Sequence, residues 1–163
     1  MDIGWLDWTL WAVLAVSVAL GVLRGLVREV VSLAAWVLAF VWAQVYAETV
    51  AAWLPAAVSV PMVRLALGFA LVFLGVALAG AVLAWVLGRF LQAVGLRPID
   101  RILGAGFGLA RGAVLLLGVT LVVVALGQTT HPVWARSETA TWLTDTLQTL
   151  KPLLPGALAE AIP

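Results

Sequence analysis

Residues Asp100 to Gly118 read DRILGAGFGLARGAVLLLG, and they set the problem that the fold has to solve. The stretch leads into an apolar helix, yet it carries a permanent positive charge, Arg111, among Gly104, Gly106, Gly108 and Gly112. As a helix, Gly112 to Leu126 rises only about 22 Å, short of the roughly 30 Å of a hydrocarbon core, so residues before Gly112 must also lie in the membrane. A straight helix from Ile102 would put Arg111 about 14 Å deep, at a cost of roughly 2.5 to 3.5 kcal/mol on insertion scales. A bent or re-entrant element over Asp100 to Ala110 would leave Arg111 at a break instead, which is tolerated only where backbone is shielded from lipid. The expected fold is an all-α polytopic membrane protein of about four spans, the fourth broken or re-entrant at Gly104 to Gly112.

The rest of the chain supports a membrane setting. Of its 163 residues 64% are hydrophobic and 10% charged, and its mean hydropathy is +1.15. Soluble domains hold roughly 45 to 50% apolar residues. A net charge of +1 gives no basic face of the kind that neutralises nucleic-acid phosphates. With no cysteine, disulfide, thiolate and Cys-based zinc chemistry are excluded.

Hydropathy gives four spans, about 5–23, 30–54, 62–87 and 102–126, within a transmembrane domain over 1–127. The first run, Trp5 to Leu23, is preceded by Asp2 and no Lys or Arg, which speaks against a secretory signal with its basic leading region. Arg24, Arg28, Arg89, Arg97 and Arg101, with Arg111 close by, fall on one side, against Arg64, Arg136 and Lys151 on the other. The side rich in Lys and Arg is expected in the cytoplasm, with both termini extracytoplasmic. Trp5, Trp8, Trp11, Trp53, Trp134 and Trp142 then gather towards the outer interface. The polar, threonine-rich tail, 128–163, is expected to hold a short amphipathic helix capped by Ser137, carrying Trp142, Leu143, Leu147 and Leu150 on one face and stopping at Pro152. That face suits the membrane interface or an extracytoplasmic protein partner bound through residues 137–150.

The residues able to carry function cluster on the cytoplasmic side. Gly104, Gly108 and Gly112 form a smooth stripe on a helix, suited to close helix packing or to a discontinuous segment near a transport site. Arg24 and Arg28 share a helix face beside Glu29; they fit interfacial anchoring and anionic lipid, or a charge cluster with Asp100, Arg101 and Arg111. A buried Arg111 calls for a counter-ion, Glu29 or Asp100. Asp7 reads as an interface marker rather than a proton relay, and Ser32 as a hydrogen-bonding group within or between helices. Gly21-Val-Leu-Arg24-Gly25-Leu-Val resembles Gly108-Leu-Ala-Arg111-Gly112-Ala-Val, by duplication or by chance in so apolar a chain. His131 and Lys151 are each the only residue of their type and both lie in the tail, so no enzyme, cofactor or metal centre is expected.

Two motifs carry a family resemblance: Arg24-Gly25-Leu-Val-Arg28-Glu29-Val-Val-Ser32-Leu33-Ala-Ala-Trp36, and Asp100-Arg101-Ile-Leu103-Gly104-Ala-Gly-Phe107-Gly108-Leu-Ala-Arg111-Gly112. With Asp7 they resemble the colicin V production protein (CvpA) family of bacterial inner-membrane proteins over about Trp5 to Leu126. The resemblance implies about four spans and a link to export of a peptide toxin and to envelope tolerance of toxic compounds. On these readings the protein is expected to be a channel, transporter or export accessory, with Arg24, Gly25, Arg28, Glu29, Asp100, Arg101, Gly104, Gly108, Arg111 and Gly112 at its functional centre. It is expected to self-associate in the bilayer through small-residue faces. The alternative is a non-transporting scaffold or sensor working through its tail.

Overall fold

The computed structural model describes residues 4–55, 60–153 and 155. The last part of the expected tail, 154 and 156–163, lies outside the described residues. All regular structure among the described residues is helical: α1 (Trp5–Arg24), α2 (Leu26–Ala52), α3 (Pro61–Ala93), α4 (Arg97–Ala125), a short α5 (Pro132–Ala135) and α6 (Glu138–Leu150), with single turns of 3₁₀ helix at Gln128–Thr130 and Lys151–Leu153. Four of these, α1 to α4, are long and apolar enough to cross a membrane.

α2, α3 and α4 begin before their hydrophobic stretches and α3 also ends well beyond its own, because hydropathy marks hydrocarbon and not helix ends. The chain turns from α1 into α2 at Gly25, whose φ of 83° lies in the left-handed region that favours glycine. It leaves α3 through Gly95, φ 75°. There Leu96 donates to the Leu91 carbonyl at 2.9 Å and Gly95 to that of Gln92 at 3.3 Å, the paired bonds that satisfy the orphan carbonyls of a helix end. At 33 residues α3 rises about 50 Å, more than the hydrocarbon thickness.

The fourth span departs from expectation. α4 runs unbroken from Arg97 to Ala125, straight through Gly104 to Gly112. A helix keeps every backbone group bonded without help from water, and Gly108 and Gly112 are covered by α1, so the glycines act as packing surface and no break is needed.

The structure divides into two compact units, 1–23 with 105–163 and 24–104. The second unit is built on a hairpin of α2 and α3. Ala35, Ala39, Ala43, Ala47 and Ala51 recur every four residues along α2 and are all buried. A Cβ placed on Gly80 would collide with the Ala35 Cβ, and one on Gly68 would lie 2.9 Å from the Ala51 backbone nitrogen. Residues 35 and 51 thus meet 80 and 68, which makes the helices antiparallel with their backbones in close approach. In lipid, packing of this kind replaces the hydrophobic effect as the source of helix association. Aromatic rings close the seam, Trp36 edge-on to Phe73 at 5.3 Å and Phe40 edge-on to Phe69 at 5.9 Å. Arg64 ties off the far end of α2, its guanidinium donating to the carbonyls of Ala51 at 2.6 Å, Leu54 at 2.7 Å and Ala52 at 3.1 Å. A cation there also meets the negative end of the helix dipole.

The first unit packs the tail onto the N-terminal helix. Leu10 of α1, Leu116 of α4, Trp134 of α5, and Ala140 and Leu143 of α6 form one buried cluster, and Leu147 joins Val124 in a second. The amphipathic helix is where the sequence places it, and Ser137 caps it by accepting from the Ala140 N–H at 3.0 Å. Its apolar face is turned inward, however: Leu143 and Leu147 are covered by the protein's own helices, while Trp142 stays 66% exposed. Trp134 corrects the interfacial belt in the same way, being buried with its indole N–H donating to Thr144 Oγ1 at 3.2 Å. Trp5, Trp8, Trp11 and Trp53 are exposed, as rings at a membrane boundary would be.

The alanine seam makes a direct test. Ala39→Leu forces methylenes into a fully covered site and is expected to destabilise the protein by about 1 to 3 kcal/mol, read as a lowered thermal midpoint in detergent micelles. Ala34→Leu, on the exposed face of the same helix, should leave the midpoint unchanged.

Candidate functional site

The first unit holds the polar contact that the glycine stripe makes possible. Gly108 and Gly112 let α1 come close: a Cβ on Gly108 would sit 3.0 Å from the Val18 Cα, and one on Gly112 would sit 2.7 Å from a Leu14 methyl. Ser17, buried on α1, uses that proximity to donate to the Gly108 carbonyl at 2.7 Å. The same Ser17 oxygen accepts from Arg111 Nε at 3.2 Å, and an Arg111 terminal nitrogen donates to the Ser17 carbonyl at 3.1 Å. Ser17 lies seven residues before Arg24 on α1, which is about 10 Å along the helix. The guanidinium is therefore held well inside the length of α1 and not at its end; in a hydrocarbon setting bonds from a charged donor are worth more than in water.

Beside this contact runs a groove of about 430 Å³ lined by Thr9, Val13, Val16, Ser17 and Leu20 of α1 and by Arg111 and Leu115 of α4. It is apolar apart from Thr9, Ser17 and the half-buried arginine, so the charge is presented within a hydrocarbon-like wall.

The charged residues of the second unit form a different arrangement. Asp100, in the first turn of α4, accepts the Val27 N–H on Oδ1 at 2.9 Å, satisfying an orphan donor at the start of α2. A Cβ on Gly25 would run into the Asp100 carboxylate. Asp100, read from sequence as a counter-ion, is here a helix cap contributed by a distant segment. Arg24, about half exposed, pairs with the buried Glu29 at 3.5 Å. Arg28 is exposed, Arg101 and Ser32 are half-buried, and Gly104 is buried. Among the expected site residues, then, Gly25, Asp100, Arg24 and Glu29 meet at the α1–α2 turn, while Gly108, Gly112 and Arg111 meet at Ser17.

Asp7, expected as an interface marker, has a structural part in the first unit. It is 4% exposed. Oδ1 accepts from Ser137 Oγ at 2.8 Å and from the Thr139 N–H at 2.9 Å, and Oδ2 accepts from the Gly4 N–H at 3.1 Å. A carboxylate at the N-terminus of α6 is favoured by the dipole of that helix and by its unbonded N–H groups. Asp7 thus anchors the tail to α1. Among the described residues no three His, Asp or Glu side chains gather as metal ligands.

Four apolar helices of spanning length define a multi-pass membrane protein. Its sequence matches that of the Colicin V production protein family over residues 6–148, and the chain belongs to that family. The match reaches beyond Leu126 and takes in α6, in keeping with a tail that is part of the packed unit. Comparison with curated proteins and with solved structures found no match.

Two expected outcomes follow from these contacts. Ser17→Ala removes the acceptor of a charged donor in a low-dielectric site and should lower stability by about 1 to 3 kcal/mol, checked by thermal unfolding in micelles. Asp7→Ala should release α6, raising the labelling rate of a single cysteine placed at Leu147 by roughly tenfold or more, as expected when bonds to a buried charge are lost.

Proposed function

We propose that this protein is a non-enzymatic, transport-class component of the bacterial inner membrane, a channel, transporter or export accessory, whose working element is the groove beside Arg111. The observation that carries the reading is a guanidinium held at the depth of Ser17 and lining an apolar groove. Ionisable groups at such depth mark substrate and ion routes more often than they serve packing. Family membership supports a role in export or in tolerance of toxic compounds. The arginine-rich connections are placed in the cytoplasm and both termini outside, following the charge bias of the loops.

A second reading, a scaffold that binds an extracytoplasmic partner through the tail, keeps the exposed Trp142 and the half-buried Leu150 of the expected face as support among the described residues, because Leu143 and Leu147 are spent on internal packing. Self-association through the small-residue stripes meets the same objection: Gly108 and Gly112 face α1, and the α2 alanines face α3. A self-association surface would instead use uncovered positions such as Gly75 or Gly118.

Protein reconstituted in liposomes is expected to pass solute or ions, with flux reduced by Arg111→Gln and unaffected by Trp142→Ala. Absence of flux together with loss of cellular tolerance in Trp142→Ala would favour the scaffold.

A further inference from the structure

Asp100 brings two pairs of arginines together. Its bond to the Val27 N–H at 2.9 Å and its contact with Gly25 set the first turn of α4 against the first turn of α2. Arg24 and Arg28 stand on either side of Val27, three residues before and one after, and Arg97 and Arg101 stand on either side of Asp100 at the same spacing. All four arginines therefore lie within about one helical turn of a single hydrogen bond.

The charge at this end of the second unit is lopsided. Its acids are Asp100, which caps α2, and Glu29, which is 6% exposed and 3.5 Å from Arg24; Glu48 belongs to the far end of α2. Arg28 and Arg97 are exposed. Both also sit at the positive ends of helices, Arg28 in the first turn of α2 and Arg97 at the start of α4. Cations there are disfavoured by the helix dipole, whereas an anion is favoured by both the dipole and the guanidinium groups. Within two residues of an arginine in sequence, Val30, Ile99 and Ile102 of the same unit are exposed. Exposed cationic side chains close in sequence to exposed apolar ones match a molecule with an anionic head and hydrocarbon chains.

We propose that Arg24, Arg28, Arg97 and Arg101 form a docking surface for the headgroup phosphate of an anionic phospholipid, with its acyl chains lying along the exposed valine and isoleucine side chains. The inference is independent of the role given to Arg111. Guanidinium groups suit this phosphate because their forked donors can bond two of its oxygens at once.

The test is native mass spectrometry of the full chain in neutral detergent, titrated with phosphatidylglycerol or with phosphatidylcholine. Phosphatidylglycerol should bind in preference, and Arg28→Gln/Arg97→Gln should weaken its binding by at least roughly tenfold, given about fivefold per arginine near a lipid surface. Arg136→Gln/Lys151→Gln, which removes the same charge elsewhere, should bind phosphatidylglycerol as the unaltered protein does, and circular dichroism should show all three proteins equally helical. Equal binding of the two lipids, unchanged binding by the first variant, or equal loss in the second would overturn the proposal. Displacement of phosphatidylglycerol by an equal concentration of inorganic phosphate would overturn it too, by pointing to a free-anion site.

Discussion

The close approach of α1 to α4 at Ser17 and Gly108 is the constraint on which the first unit depends. A guanidinium on the middle of a spanning helix must find oxygen acceptors or leave the membrane, and an α-helix offers few, because its carbonyls are already bonded along the axis. Gly108 and Gly112 remove the side chains that would hold α1 away. Ser17 can then donate to one helix and accept from Arg111, which also donates to the Ser17 carbonyl. Glycine, serine and arginine make sense here only as a set.

The same logic of small residues recurs between α2 and α3, without any charge. Five alanines in register let two long helices meet backbone to backbone, and Gly68 and Gly80 receive them. Polar anchors then fix what packing alone leaves free. Asp100 caps α2, Arg64 closes its other end, and Asp7 holds α6. Asp100 and Asp7 join segments far apart in sequence, so each acts as a topological fastening as well as a local bond, whereas Arg64 closes the turn between neighbouring helices.

Apolar run lengths made the four spans legible, because a bilayer imposes a length that a single sequence can display. Ser137 was legible as a cap since capping is a local pattern. The glycine stripe announced close packing, but not its partner: one serine in α1 carries no periodicity, so Ser17 passed unnoticed. The α2 alanines hid for another reason, since a hydropathy average counts alanine as one more apolar residue and not as an absence of bulk. The bonds of Asp7 to Ser137 and Thr139 were not legible because those partners lie more than a hundred residues away, beyond any window. Arg111 was read correctly as the chain's anomaly, but the break inferred from it was unnecessary once α1 supplied acceptors to an intact α4.

The most direct test of the account is whether water reaches the groove beside Arg111. The chain has no cysteine, so single cysteines at Val13, Val16, Leu20 and Leu115 can be challenged with a charged, membrane-impermeant thiol reagent in intact membranes, with Leu109 and Val119, exposed but outside the groove, as controls. Labelling at the first four and not at the controls is the predicted result. Labelling at none of them would contradict the account and leave Arg111 as a fastening between two helices.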